Sequence, residues 1–154
     1  MTAITNIDDL KQLYRRRVPK MFYDYAESGS YTEKTFRDNT SDFDEIKFRQ
    51  KIAVDMTNRS TSTQMLTQSA SMPVALAPVG LTGMQHADGE IKAALAARDF
   101  GVPYTLSTMS VNSIEQVADA TNAPFWFQVY TLNDDDFMRR LMARAKDANC
   151  SAII

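Results

Sequence analysis

The chain has 154 residues, of which 44% are hydrophobic and 23% charged, a globular balance with enough apolar mass to bury a core. Seventeen Lys and Arg against nineteen Asp and Glu leave a net charge of −2, so no basic surface offers itself to a phosphate backbone and nucleic acid is not an expected partner. One cysteine and one histidine exclude an internal disulfide framework and a zinc site, and without an apolar run of about 20 residues or a secretory leader the expected location is cytoplasmic.

Residues 5–28 read as helical, opening on Thr5 or Asn6 as a cap and continuing through Ile7, Leu10, Leu13 and Tyr14 at helical spacing. Pro19 opens a second short helix that carries Met21, Phe22, Tyr23 and Tyr25, because proline is tolerated in a first turn and breaks an interior one. Ser28, Gly29 and Ser30 end it. A third helical pattern at 32–39 precedes Phe43, Ile46, Phe48, Ile52 and Val54 in mostly extended context, then a polar stretch at 57–63. Residues 1–70 are therefore expected to form a helical and extended lead-in.

Another rhythm occupies 71–154. Short apolar runs at 74–77, 104–106, 125–129 and 151–154 alternate with amphipathic stretches at 88–100, 113–120 and 134–148, the spacing of repeated strand–helix units. Gly101 is a C-terminal stop for the first helix. Ser113 and Gln116 have capping-box spacing at the start of the second, and the acidic residues 134–136 suit the positive end of the third. Alternation of this kind forces parallel pairing, so the fold class is α/β, a doubly wound sheet or a segment of a barrel. A (β/α)₈ barrel takes about 250 residues; four strands here amount to about half of one.

In either architecture ligands sit at the C-terminal ends of the strands. The residues there are Ala77, Pro78, Val79 and Gly80 after the first run, Ser107 to Ser110 after the second, and Gln128 and Tyr130 at the third. Backbone groups, hydroxyls, an amide and a phenol suit an uncharged flat heterocycle better than a metal. His86 precedes the first helix of this region and is read as a structural or capping histidine. Cys150 is read as a small buried residue, and the nine methionines as core filling.

The segment Pro19-Lys20-Met21-Phe22-Tyr23-Asp24-Tyr25, the turn Ala77-Pro78-Val79-Gly80, the stretch Gly83-Met84-Gln85-His86-Ala87-Asp88-Gly89-Glu90, the strand end Thr105-Leu106-Ser107 and the strand Phe127-Gln128-Val129-Tyr130 together resemble the FMN-dependent 2-hydroxy acid dehydrogenases and oxidases, the family of L-lactate dehydrogenase, glycolate oxidase and mandelate dehydrogenase. The resemblance covers nearly the whole chain, in order. It implies the N-terminal half of a (β/α)₈ TIM barrel with a helical lead-in, and FMN as cofactor. Ala77, Pro78 and Val79 would run beside the flavin, Ser107 would hydrogen-bond it, and Gln128 would meet its pyrimidine edge. Tyr25 and Tyr130 would bind the substrate, with Tyr130 taking part in catalysis. Val79 stands where the family often has a polar residue, so only backbone contact is expected there.

By the same resemblance the reaction is oxidation of a small (S)-2-hydroxy acid, L-lactate-like, to the 2-oxo acid, with a quinone, oxygen or another electron acceptor taking the electrons. The family's Thr and Asp on the fourth strand would fall just after Ile154 and its catalytic His and Arg later, so the chain alone is expected to be inactive. A homo-oligomer is expected for the full-length family member, as is a peripheral inner-membrane location for some parents. The alternative is a non-catalytic half-barrel module that associates with itself or with a complementing chain. Other FMN barrel enzymes share the architecture but not the N-terminal tyrosine segment.

Overall fold

Local side-chain and backbone chemistry rather than burial sets the helix ends in the first part of the chain. In the computed structural model, which describes residues 3–154, Asn6 caps α1 (Ile7–Arg17), its side chain accepting from the Asp9 amide at 2.9 Å. Asp8 and Asp9 occupy the first turn and three arginines the last, each complementing the helix dipole. Pro19 precedes α2 (Lys20–Glu27), and the two helices meet through the Tyr14 and Tyr23 rings, 5.1 Å apart, and a Lys11–Glu27 ion pair. Helix α3 (Lys34–Ser41) starts two residues later than the pattern predicts, because Tyr31 and Glu33 adopt left-handed backbone that a helix cannot include. A 3₁₀ turn, Asp42–Glu45, follows. None of the residues in these helices is buried, and Phe48 and Ile52 are almost fully exposed.

Backbone proximity divides the chain into Met1–Arg59 and Ser60–Ile154. The second unit opens with an antiparallel hairpin, β1 (Thr63–Met65) and β2 (Gln68–Ala70), within the segment read above as lead-in. Its partners explain its place. Thr67 Oγ1 donates to the Ser151 carbonyl at 3.4 Å and Gln68 Nε2 to the Pro124 carbonyl at 3.0 Å, both near the starts of later strands.

Three strands, β3 (Thr105–Ser107), β4 (Phe125–Gln128) and β5 (Cys150–Ile153), form a parallel sheet in that order. The run at 74–77, predicted as a strand of equal standing, contributes one parallel bridge, Leu76 to Tyr104. Pro73 and Pro78 enclose it, and proline cannot donate to a ladder. A short α4 (Thr82–Gln85), absent from the sequence reading, follows this run.

The longer helices cover one face. Helix α5 (Gly89–Phe100) ends at Gly101, whose φ of 79° is the left-handed cap that glycine adopts without strain. Helix α6 (Ile114–Thr121) has the complete Ser113–Gln116 capping box, and α7 (Asp135–Asp147) is capped by Asp134. The core lies between these helices and the sheet: Leu106, Phe125 and Phe127 pack with Ala94, Val117 and Leu141. The alternate positions Thr105, Ser107 and Trp126 are also buried, on the opposite face by the two-residue period of a strand. Among the described residues no helix is long and apolar enough to cross a membrane.

Candidate functional site

Because Leu76, β3 and β4 run parallel, the residues that follow them come out on the same rim. Ser107 and Gln128 are register partners. The Ser107 hydroxyl donates to Gln128 Oε1 at 3.3 Å, and the Thr108 amide donates to the same oxygen at 3.2 Å. The Met109 amide in turn donates to Ser107 Oγ at 3.1 Å. Thr108 Oγ1 donates to the Gln128 carbonyl at 2.5 Å and accepts from the Tyr130 amide at 3.2 Å. The preceding turn joins the network where the Leu81 amide donates to the Met109 carbonyl at 2.9 Å, while Thr82 Oγ1 donates to the Val79 carbonyl at 3.0 Å.

Of the residues singled out by sequence, Ser107, Gln128 and Tyr130 are joined directly or through Thr108 at the ends of β3 and β4, while Ala77, Pro78 and Val79 follow Leu76, which bridges to Tyr104 just before β3. Tyr25 is on α2 in the other unit, half-exposed. Tyr130 is also half-exposed, which leaves its phenol open to a ligand. Thr108 was not assigned a role by sequence; its signal was a hydroxyl directly after a strand end, but its dual bonding needs the register of β4.

The donor set has a definite chemical character. With Gln128 Oε1 taking two donors, its Nε2 is left without an acceptor among the described residues. The amides of Ala77, Val79 and Gly80 are likewise not used in any hydrogen bond there. These are uncharged N–H donors at a strand-end rim, as the carbonyl and ring-nitrogen edge of a flat heterocycle requires. The residues present therefore fit an isoalloxazine-type cofactor.

Behind the rim sits Glu90, fully buried, with Oε1 accepting from the amides of Gly83 and Val111. The stretch at 83–90 contained it, but nothing local marked it as buried. Burial, aided by the Glu90 charge, raises the Tyr104 phenol above its ordinary value. Elsewhere, burial pushes the Cys150 thiol up to about 11, and the Arg144 guanidinium, bonded at 2.7 and 2.9 Å, holds Glu115 down to about 2. His86 is exposed, with Nδ1 2.8 Å from the Ala87 carbonyl. Among the described residues no group of three or more His, Cys, Asp or Glu side chains is placed to hold a metal.

Comparison with known proteins adds a family. The model of the FMN-dependent dehydrogenases matches residues 14–154. An L-lactate dehydrogenase of Acinetobacter baumannii (strain AYE) is 46% identical over 151 residues, which is 98% of this chain and 39% of that protein. One from Haemophilus influenzae (strain PittEE) is 45% identical over 98% of this chain and 40% of its own. The chain thus spans about two fifths of the curated relatives it matches. Among solved structures, a mandelate oxidase with (S)-4-hydroxymandelic acid superposes with a TM-score of 0.90 at 34% identity, covering 98% of this chain and 42% of that one. A mandelate oxidase mutant with a C4a-OH-FMN adduct gives 0.88 at 34% identity, covering 95% and 44%.

Proposed function

Because this chain belongs to the FMN-dependent dehydrogenase family, we propose that it carries the cofactor-binding part of an enzyme that oxidises a small (S)-2-hydroxy acid such as L-lactate to the 2-oxo acid. FMN, the family's cofactor, supplies the two-electron chemistry that side chains lack. The chain is read as half of a (β/α)₈ barrel, as the share of its relatives that it spans supports. The L-lactate dehydrogenases among those relatives favour lactate as the acid.

The observation that carries the reading is the Ser107–Gln128 pair beside the turn at 77–80, with Gln128 Nε2 and the turn amides unpaired. In this reading Ala77, Pro78 and Val79 bind the flavin through backbone, Ser107 through its hydroxyl and Gln128 through its amide. Tyr130 holds the 2-hydroxy acid and orients its hydroxyl for reaction. Proton removal from that hydroxyl needs a base. The chain's one imidazole, His86, stands by the Ala87 carbonyl and has no part in the rim network. The chain by itself accordingly does not turn over. A quinone, oxygen or another acceptor takes the electrons in the complete enzyme, which is read as a homo-oligomer.

Titration of the chain with FMN, followed by flavin fluorescence, tests the reading. Saturable binding that weakens ~10-fold in Gln128→Leu is expected, since an amide that bonds a ligand is replaced by an apolar group. Absence of binding by the wild-type chain refutes the flavin site. Dye reduction with L-lactate by the isolated chain refutes its inactivity.

A further inference from the structure

Glu90 is the one charged side chain that is buried among the described residues. It lies in the first turn of α5, where the helix dipole favours an anion, but a first-turn carboxylate can serve the dipole from the surface. Burying it is costly unless it gains specific partners. Its partners are two amides from two separate segments, Gly83 of α4 at 2.9 Å and Val111 of the loop after β3 at 3.0 Å, both on Oε1. Oε2 is buried without a partner. The three segments are in close approach, because a Cβ on Gly83 would stand 2.7 Å from Val111 Cβ and 2.8 Å from Glu90 Oε2.

The two amides have equivalent places in the chain. Gly83 comes four residues after Val79, and Val111 four residues after Ser107. Between them the Leu81 amide reaches the Met109 carbonyl, and the Met109 amide reaches Ser107 Oγ. A single carboxylate oxygen therefore ties α4, which follows the turn at 77–80, to the loop that follows Ser107, and both segments lead away from the rim. We propose that Glu90 is a positioning residue for the flavin: its Oε1 sets the spacing between the turn at 77–79 and the Ser107–Gln128 pair. This rests on the flavin reading above. The feature that matters is an acceptor oxygen at full reach, not the charge.

Two substitutions separate those properties. Glu90→Gln keeps an oxygen at the same reach and removes the charge; Glu90→Asp keeps the charge and withdraws the carboxylate by one methylene. The readouts are FMN affinity of the chain, the visible circular dichroism of the bound flavin, and amide hydrogen exchange at Gly83 and Val111 in the flavin-free chain. Glu90→Gln should bind FMN within ~3-fold of wild type, with the same dichroism and protected amides. Glu90→Asp should lose ~10-fold in affinity, alter the dichroism and speed exchange at both amides by a similar factor. Wild-type behaviour in Glu90→Asp, or equal damage in both variants, overturns the proposal while leaving the flavin site standing. A wild-type chain that does not bind FMN overturns the flavin reading and the cradle role with it, and the exchange rates then report the loop contact alone. If Glu90→Asp does not fold, Glu90→Gln decides: lost flavin binding refutes the role, and retained binding with protected amides supports it.

Discussion

Thr108→Val removes one hydroxyl from the rim and keeps the β-branched shape, so its effect isolates two hydrogen bonds. Oγ1 donates to the partly buried Gln128 carbonyl at 2.5 Å and accepts from the exposed Tyr130 amide at 3.2 Å. The first is worth about 1 kcal/mol net and the second about 0.5, since water can replace it. The expected loss is about 1.5 kcal/mol, which for a unit of this size lowers its melting temperature by roughly 6–12 °C. Trp126 is the chain's only tryptophan, is 8% exposed and lies two residues before Gln128 on β4. Its fluorescence in a urea titration therefore reports this unit directly. Loosening the Gln128 backbone should also weaken FMN by roughly 3- to 10-fold. An unchanged urea midpoint together with unchanged FMN affinity would show that the hydroxyl bonds contribute nothing to the rim.

Ser113→Ala breaks a capping box in which the Ser113 hydroxyl accepts from the Gln116 amide at 3.1 Å; a loss of about 1 kcal/mol is expected in the same titration, and none at all would mean that water caps α6 equally well. Glu115 has a folded-state pKa of about 2 against an ordinary 4.5, so its stabilisation is present above the ordinary value and disappears as pH falls from about 5 to 2. Both Glu115 and Arg144 are about half-exposed, which discounts the effect to about 1 kcal/mol; Glu115→Gln should remove that part of the acid dependence, and an identical acid profile in the variant contradicts the assignment. With its thiol pushed up to about 11, Cys150 is thiolate in roughly one molecule in a thousand at pH 8. Aromatic disulfide reagents should label it slowly in the native chain and rapidly in urea; rapid native labelling would place the thiol outside the sheet.

Local chemistry made much of the second unit readable. Ser113 with Gln116, Asp134 before α7 and Gly101 after α5 each mark a helix end through a bond or dihedral within a few residues, so one stretch of sequence contains the whole cause. The alternation of apolar runs likewise implies parallel strands, and parallel strands imply that Ser107 and Gln128 reach one rim. The hairpin at 63–70 was not readable, because its anchors, the Pro124 and Ser151 carbonyls, are far away in sequence. The run at 74–77 looked like a full strand by composition; the flanking prolines leave it one bridge.

The site divides in the same way. Residue identity alone supplied an amide, hydroxyls and a phenol at strand ends, and the absence of a second imidazole. Only the tertiary structure could decide that Gln128 turns its oxygen toward Ser107 and Thr108 and leaves its Nε2 unpaired among the described residues, or that Glu90 is buried against α4 and the loop after β3. A side chain's partners across parallel strands depend on register and on the path of the crossovers, and neither is encoded within the few residues that surround it.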